Sequence, residues 1–376
     1  MVAKQSKSKP KKPSKNFPLF AHDRGYWCKK FKGKQYNFGP WDDPQGALKA
    51  WKEFEAKHVL GMQAKNAGNS GGASLVDMVA GFLDDKQQKV DRGNLSPRTL
   101  NQYVIAGRWL VEGIGRHRLI ETIGPADFTK LRNSFPADWG TVFSDARIMH
   151  VRTMFKWAYD NDVIDRPVKY GSNWSKTPKK QVRLEQAKKE SKSFTRKETL
   201  ALLEAAQPQI KAMILLGLNA GYGNLDCARL KTTDVKGVWL DVPRGKTGQK
   251  RRCWLWQETR DALRAVMRDH DGEEPLFKTA AGNLWVDEDT GRNNLTKEFL
   301  KLRKKADCNR KGVGFYSFRH MTETIASDAD VKNVQPVIDL IMGHDDGTMA
   351  SNYRESISDA RIKKVCQHLR GWLFDE

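Results

Sequence analysis

Two stretches of this chain are too poor in apolar residues to build a core, and they divide everything around them. Residues 61–73 (GMQAKNAGNSGGA) have the Gly, Asn, Ser and Ala composition of a flexible linker. Residues 171–193 are polar and strongly basic, with Lys176, Lys179, Lys180, Arg183, Lys188, Lys189 and Lys192, and read as a second linker near phosphate. Residues 1–16 place lysines at 4, 7, 9, 11, 12 and 15 among Ser and Pro, and are expected to be a disordered basic tail. What remains is three core-forming segments, 17–60, 74–170 and 194–376, so the 376 residues are expected to fold as separate domains.

Each segment has its own periodicity. In 17–60, Gly25-Tyr26-Trp27-Cys28-Lys29-Lys30-Phe31 alternates, Gly33-Lys34 turns, and Gln35-Tyr36-Asn37-Phe38-Gly39 alternates again, which predicts a β-hairpin. Leu19-Phe20 supplies a possible third strand. Asp43-Pro44 starts a helix with Ala47, Leu48, Trp51 and Phe54 on one face. Lys29, Lys30, Lys32 and Lys34 ring the hairpin and are read as DNA contacts, since a basic β-ribbon suits a DNA groove.

Segment 74–170 reads as all-helical. Leu75, Val76, Val79, Phe82 and Leu83 follow a helical period; Ser96-Pro97 opens a second helix with Leu100, Tyr103, Val104 and Trp109 expected inward. Pro125-Ala126-Asp127-Phe128 opens a third that runs through Leu131. A fourth, about 141–160, carries Val142, Ile148, Val151, Met154, Phe155 and Ala158. This predicts a compact bundle. Among its basic residues Arg98, Arg147 and Arg152 are read as DNA contacts, as are Lys179 and Lys180 of the second linker. Segment 194–376 is expected to be mostly helical, with a hairpin at about 237–256 in which Val238-Trp239-Leu240 and Cys253-Trp254-Leu255 flank a Pro-Arg-Gly-Lys-Thr-Gly turn.

Charge narrows the partner. A formal net charge of +21 points to a polyanion, nucleic acid or an anionic membrane. No apolar run approaches the roughly 20 residues that cross a bilayer, and no apolar segment follows the lysine-rich start, so neither a membrane nor secretion is expected. Cys28, Cys227, Cys253, Cys308 and Cys366 are scattered and odd in number. They predict buried thiols rather than a disulfide framework or zinc site, in a reducing cytoplasm.

The last segment holds a constellation that points to chemistry. Ile338 to Tyr353 reads IDLIMGHDDGTMASNY, an apolar helix followed by Met342-Gly343-His344 and a Tyr nine residues after the His. Upstream lie Phe315-Tyr316-Ser317-Phe318-Arg319-His320, the turn Gly245-Lys246-Thr247-Gly248 with Lys250-Arg251-Arg252 behind it, and the helix-turn-helix pattern of Leu215 to Leu230. In order and spacing, over roughly 180 residues, these resemble the tyrosine recombinase (phage integrase) family, and in whole layout the integrase-like proteins of planctomycete bacteria.

The resemblance implies a fold that is mainly α with small β elements: a small N-terminal β-sheet plus helix domain of arm-binding type (17–60), a helical core-binding bundle (74–170), and a mixed α/β catalytic domain (194–376). It implies Tyr353 as nucleophile, attacking the scissile phosphate of double-stranded DNA to leave a 3′-phosphotyrosine and a 5′-hydroxyl. A phenol of pKa about 10 leaves again more readily than an aliphatic alcohol. Arg319 would supply a bidentate guanidinium to the phosphoryl oxygens. His344 would add a hydrogen bond, Lys246 would protonate the leaving oxygen, and Asp226 would orient its neighbours. His320 is read as a DNA contact. No metal or cofactor is implied, and four protomers would pair two DNA sites.

Two positions depart from the family pattern. Tyr316 stands where the family has a His, a mild change because Tyr also donates a hydrogen bond. Gly223 stands where the family's first arginine falls. An arginine at a phosphoryl transition state can be worth roughly 10³–10⁵ in rate. Either another cation fills the gap, with Arg229 and Lys231 nearest in sequence, or the protein binds specific DNA without cutting it. The C-terminal stretch with Ile362, Val365, Leu369 and Trp372 at helical spacing is equally suited to docking on a neighbouring protomer or packing on its own domain.

Overall fold

The computed structural model describes residues 9–10, 12–13, 17–31, 34–59, 72–188, 190–267, 272, 274–288, 291–344 and 357–375; of residues 31, 34, 52, 53 and 55–59 it describes the backbone alone. Most of the tail 1–16 and of the linker 61–73, the Lys32 position, the Lys34 side chain and Tyr353 lie outside the described residues. Two compact units result, Met1–Val182 and Arg183–Glu376.

The first unit holds two separate apolar cores. The smaller belongs to an antiparallel sheet, β1 (Phe20–His22), β2 (Tyr26–Phe31) and β3 (Lys34–Pro40) in that order, backed by α1 (Pro44–Val59). Phe17, Leu19, Trp27, Ala47 and Trp51 fill it. A register shift at Trp27/Cys28 marks a β-bulge, which increases local twist.

The larger core belongs to a bundle of α2 (Leu75–Asp91), α3 (Pro97–Ile114), α4 (Pro125–Asn133) and α5 (Thr141–Asp160). Its entry points are those expected: the Ser74 and Ser96 hydroxyls accept from the backbone N–H groups of Asp77 and Thr99 at 3.3 and 3.2 Å, capping α2 and α3. The inward face of α3 differs from the expectation. Its fully buried residues are Ala106, Gly107, Leu110 and Val111, while Leu100, Tyr103, Val104 and Trp109 sit partly buried at the margin. The helices cross on small residues: a Cβ at Gly107 would lie 2.6 Å from Val79 Cγ1. Val142 is likewise 64 % exposed, because it lies on the face of α5 opposite the buried Ser144, Val151 and Phe155. Trp174, beyond the boundary expected at 170, is wholly buried in this core.

The segment expected as a linker contains α6 (Lys179–Ala187), a nine-residue helix with no buried side chain. The second unit continues with α7 (Arg196–Ala205), α8 (Pro208–Asn219), α9 (Asn224–Arg229), a three-stranded sheet, α10 (Gln257–Met267), a two-stranded ribbon, α11 (Asn294–Lys305), α12 (Ser317–Ala326), α13 (Gln335–Met342) and α14 (Asp359–Phe374). The expected hairpin is present as β5 (Trp239–Leu240) and β6 (Cys253–Trp254), and β4 (Val235–Lys236) extends it to three antiparallel strands. In the ribbon, β7 (Val286–Asp287) pairs with β8 (Arg292–Asn293). The buried Ile362, Val365 and Leu369 of α14 join this unit's own core, which decides for packing within the domain. All five cysteines are buried and unpaired. Among the described residues no helix is long and apolar enough to cross a membrane.

The apolar α8 is the hub of this unit. Helix α12 crosses it closely at Gly217, where an added Cβ would lie 3.0 Å from Phe318 Cβ, and the Thr322 hydroxyl donates to the Gly217 carbonyl at 2.9 Å. At its end the buried Asn219 pins the sheet: Nδ2 donates to the Trp254 carbonyl and Oδ1 accepts from the Trp256 N–H, both at 2.9 Å. An Asn219→Leu variant leaves the buried Trp256 N–H unpaired and the Trp254 carbonyl with only the Cys253 thiol at 3.5 Å, each loss costing about 1–3 kcal/mol. Its unfolding free energy in urea is expected to fall by about 2–4 kcal/mol; a loss under about 0.5 kcal/mol would show that water replaces both bonds.

Candidate active site

The site is assembled by two loops that follow buried helices. The chain leaves α8 through Ala220–Gly223, and leaves α13 through Gly343, whose left-handed φ of 65° turns it sharply toward His344. Arg319, in the first turn of α12, joins them. Its guanidinium donates from Nη1 to the Gly221 carbonyl and from Nη2 to the Met342 carbonyl, the latter at 2.8 Å. The residue is 2 % exposed, and burial lowers the pKa of its guanidinium, with Arg244 acting in the same direction. These carbonyls orient the cation without neutralising it.

His344 stands beside this arginine. Its backbone N–H donates to the Asp339 carbonyl at 2.9 Å, and its Nδ1 lies 3.8 Å from the Asp339 carboxylate. Burial lowers the pKa of the imidazole, and Arg319 lowers it further. Tyr316 is exposed, edge-on to the exposed His320 at 5.3 Å between ring centroids. Lys246 lies exposed in the turn between β5 and β6.

Gly223 is buried and has no side chain to offer, and its backbone N–H donates to Asp226 Oδ2 at 2.9 Å. The other oxygen of the same carboxylate accepts from Arg251 Nη2. Arg251 is 5 % exposed, and its guanidinium lies over the Tyr222 ring, 4.6 Å from the centroid. Its Cγ sits against Gly343, where an added Cβ would approach to 2.8 Å. Arg244 also reaches this place, donating to the Gly343 carbonyl at 3.3 Å. Arg229, one of the cations nearest in sequence to the gap, is half exposed and paired with Glu288.

Arg251 was not singled out as a site residue from the sequence, although a signal was there. Lys250-Arg251-Arg252 leads into β6, and the two-residue period of an extended chain sends alternate side chains to opposite faces. Arg251 goes inward; Arg252 goes outward, where it is held by Asp359 at 2.8 and 2.9 Å and by Asp241 at 2.5 Å.

Several expected DNA contacts have structural partners of their own. Arg147 is not at the surface: it is 3 % exposed, its guanidinium lies over the Phe143 ring at 4.5 Å, and it donates to the Gln102 carbonyl at 3.2 Å. Lys29 is half-buried with its ammonium over Trp51, and Arg152, exposed, lies over Tyr170. Lys30, Arg98, Lys179 and Lys180 are exposed.

The phage integrase family model matches residues 192–359, the stretch that holds Arg319, His344, Lys246 and Gly223. That stretch is a phage integrase domain. No curated protein sequence matches the chain. Among solved structures, the chain is similar to a lambda integrase dimer bound to a COC' core site, at 16 % identity and a TM-score of 0.53, covering 91 % of this chain and 97 % of that one. It is similar to a lambda integrase tetramer bound to a Holliday junction at 17 % identity and a TM-score of 0.55, covering 91 % and 98 %. A third is the Tn1549 transposon integrase (residues 82–397) with circular intermediate DNA, at 16 % identity and a TM-score of 0.54, covering 78 % and 98 %. At these identities the likeness is one of fold, and the mainly helical fold with small antiparallel sheets is that of the integrases.

The half-buried His344 makes a pH prediction. Its pKa lies below the ordinary value of about 6.5, so on acidification the unfolded chain takes up a proton that the folded chain resists. Stability is therefore expected to fall as pH drops below about 6.5, and His344→Gln should flatten that part of the curve in urea unfolding. A variant curve as steep as the wild type would assign the dependence to other groups.

Proposed function

We propose that this chain is a site-specific DNA recombinase that breaks and rejoins duplex DNA through a 3′-phosphotyrosine formed by Tyr353. The observation that carries the reading is the convergence of Arg319 and His344. A buried guanidinium is bracketed by the Gly221 and Met342 carbonyls beside an imidazole on the next turn, and both belong to the integrase domain. Cationic donors preorganised out of water are what a phosphoryl transition state requires. Lys246, exposed on the β5–β6 turn, is the general acid of this reading, and Asp226 orients the site.

In the same reading the sheet-and-helix segment 17–60 is an arm-binding module, 74–170 the core-binding bundle and 194–376 the catalytic domain, nearest in layout to the integrase-like proteins of planctomycete bacteria. The similarity to a lambda integrase tetramer on a Holliday junction supports a four-protomer assembly on paired DNA sites. The +21 charge supports a phosphate backbone as partner. A second reading, binding without cutting, is favoured by Gly223, which offers no guanidinium where the family's first arginine falls.

The test uses a duplex selected by the full chain from a random-sequence pool, nicked at successive positions. The wild type is expected to trap a covalent protein–DNA adduct at one nick, and Tyr353→Phe to form none. Tight binding with no adduct at any nick would decide for binding alone. Affinity for the intact duplex should fall steeply with salt, and Lys30→Ala should reduce the slope of log K against log salt by about one; an unchanged slope would remove Lys30 from the phosphate contacts.

A further inference from the structure

Gly223 and the buried Arg251 belong to one problem. Three guanidiniums, those of Arg244, Arg251 and Arg319, gather at the loops Ala220–Gly223 and Met342–His344. Among the described residues, Asp226 is the single carboxylate hydrogen-bonded to any of them. Their hydrogen bonding differs. Arg319 uses both terminal nitrogens on carbonyls, and Arg244 donates to a carbonyl from a half-buried position. Arg251 has one carboxylate on Nη2, while its Nε and Nη1 are buried with no hydrogen-bond partner among the described residues.

Such an arrangement is costly if nothing else binds. A buried cation with unsatisfied N–H groups is destabilising, and removing the charge into water would relieve it. Arg251 is prevented from leaving by the Tyr222 ring beneath it, itself 2 % exposed, and by Gly343 against its stem. An oxyanion would satisfy the open Nη1, a charge-assisted bond of the kind a guanidinium makes to phosphate.

The position matches the gap. Asp226 bridges the two residues, one oxygen on the Gly223 backbone N–H and the other on Arg251 Nη2, so the guanidinium lies one carboxylate away from the residue that lacks one. Resting on the phosphotyrosine reading above, we propose that Arg251, reaching in from the strand after the Lys246 turn, supplies the guanidinium that Gly223 does not. With Arg319 it contacts the scissile phosphate. Tyr353 gives up its phenol proton to solvent as Oη bonds to phosphorus, the bond to the 5′-oxygen breaks as that oxygen takes a proton from Lys246, and charge grows on the non-bridging oxygens. Nη1 of Arg251 donates to one of these. The chain is then a cutting enzyme with a relocated arginine.

The nicked duplex described above decides it. Arg251→Gln is expected to keep wild-type secondary structure by circular dichroism and to form the covalent adduct about 10³-fold more slowly. Gly223→Arg placed on Arg251→Gln is expected to recover at least tenfold of that loss, which a merely structural arginine would not allow. Should Arg251→Gln fail to fold, Arg251→Lys keeps the buried charge without the fork, and at least a tenfold slower adduct is expected. A folded Arg251→Gln or Arg251→Lys protein that forms adduct at the wild-type rate overturns the proposal, as does a double variant no faster than Arg251→Gln. If the wild type forms no adduct at any nick, it is the phosphotyrosine reading that fails, and salt dependence on the intact duplex decides for Arg251. A slope reduced by about one in Arg251→Gln supports a phosphate contact, and an unchanged slope refutes it.

Discussion

The second unit depends on one buried cation held by two main-chain carbonyls. Arg319 lies on a helix that crosses α8 at a glycine, and it reaches past that crossing to the loops that end α8 and α13. Charge in a protein interior is tolerated only when it is oriented and hydrogen-bonded, and here the bonds come from peptide groups that neutralise nothing. A positive potential is thereby fixed at a place where two loops meet. His344, Arg251 and Arg244 are all positioned by the same two loops, so the geometry of each is tied to that of Arg319.

The rest of the domain secures those loops. Asn219 locks the sheet to the end of α8, and Trp256 Nε1 donates to the Cys366 carbonyl at 2.7 Å, tying the following turn to α14. Because β6 is pinned at both sides, the residues just before it are delivered at a defined height, Arg251 inward and Arg252 outward. The turn bearing Lys246 is exposed and is closed on Arg244, whose carbonyl accepts from the Gly248 N–H at 2.7 Å.

Basic composition overstates the charge available to a partner. Arg147, Arg152 and Lys29 each lie over an aromatic ring within the first unit, and of these Arg147 is removed from the surface altogether. A guanidinium stacked on an aromatic contributes packing as much as charge. Nothing in the local pattern around Arg147 distinguishes it from the exposed Arg98, because what buries it is Phe143 and the Gln102 carbonyl, the latter brought near only by the crossing of α3 and α5. The inward face of α3 was obscured for a similar reason. Large apolar residues draw attention in a sequence, yet α3 meets its neighbours closely at Gly107, against Val79, and at Gly113, against Leu131.

Whereas the stretch expected as a second linker holds α6 and the buried Trp174, the helix starts at Ser96-Pro97 and Pro125 and the two hairpins were legible in the sequence by itself. These are local or periodic features, fixed by turn chemistry and by the two backbone repeats of strand and helix. Tertiary structure alone decided which guanidinium shares a carboxylate with Gly223. Arg229 and Lys231 are near Gly223 along the chain, but a short helix carries Arg229 away to Glu288, whereas Arg251, distant in sequence, is folded back by the sheet onto Asp226. Proximity in a folded chain is set by which surfaces must be buried together, and no spacing along the sequence encodes it.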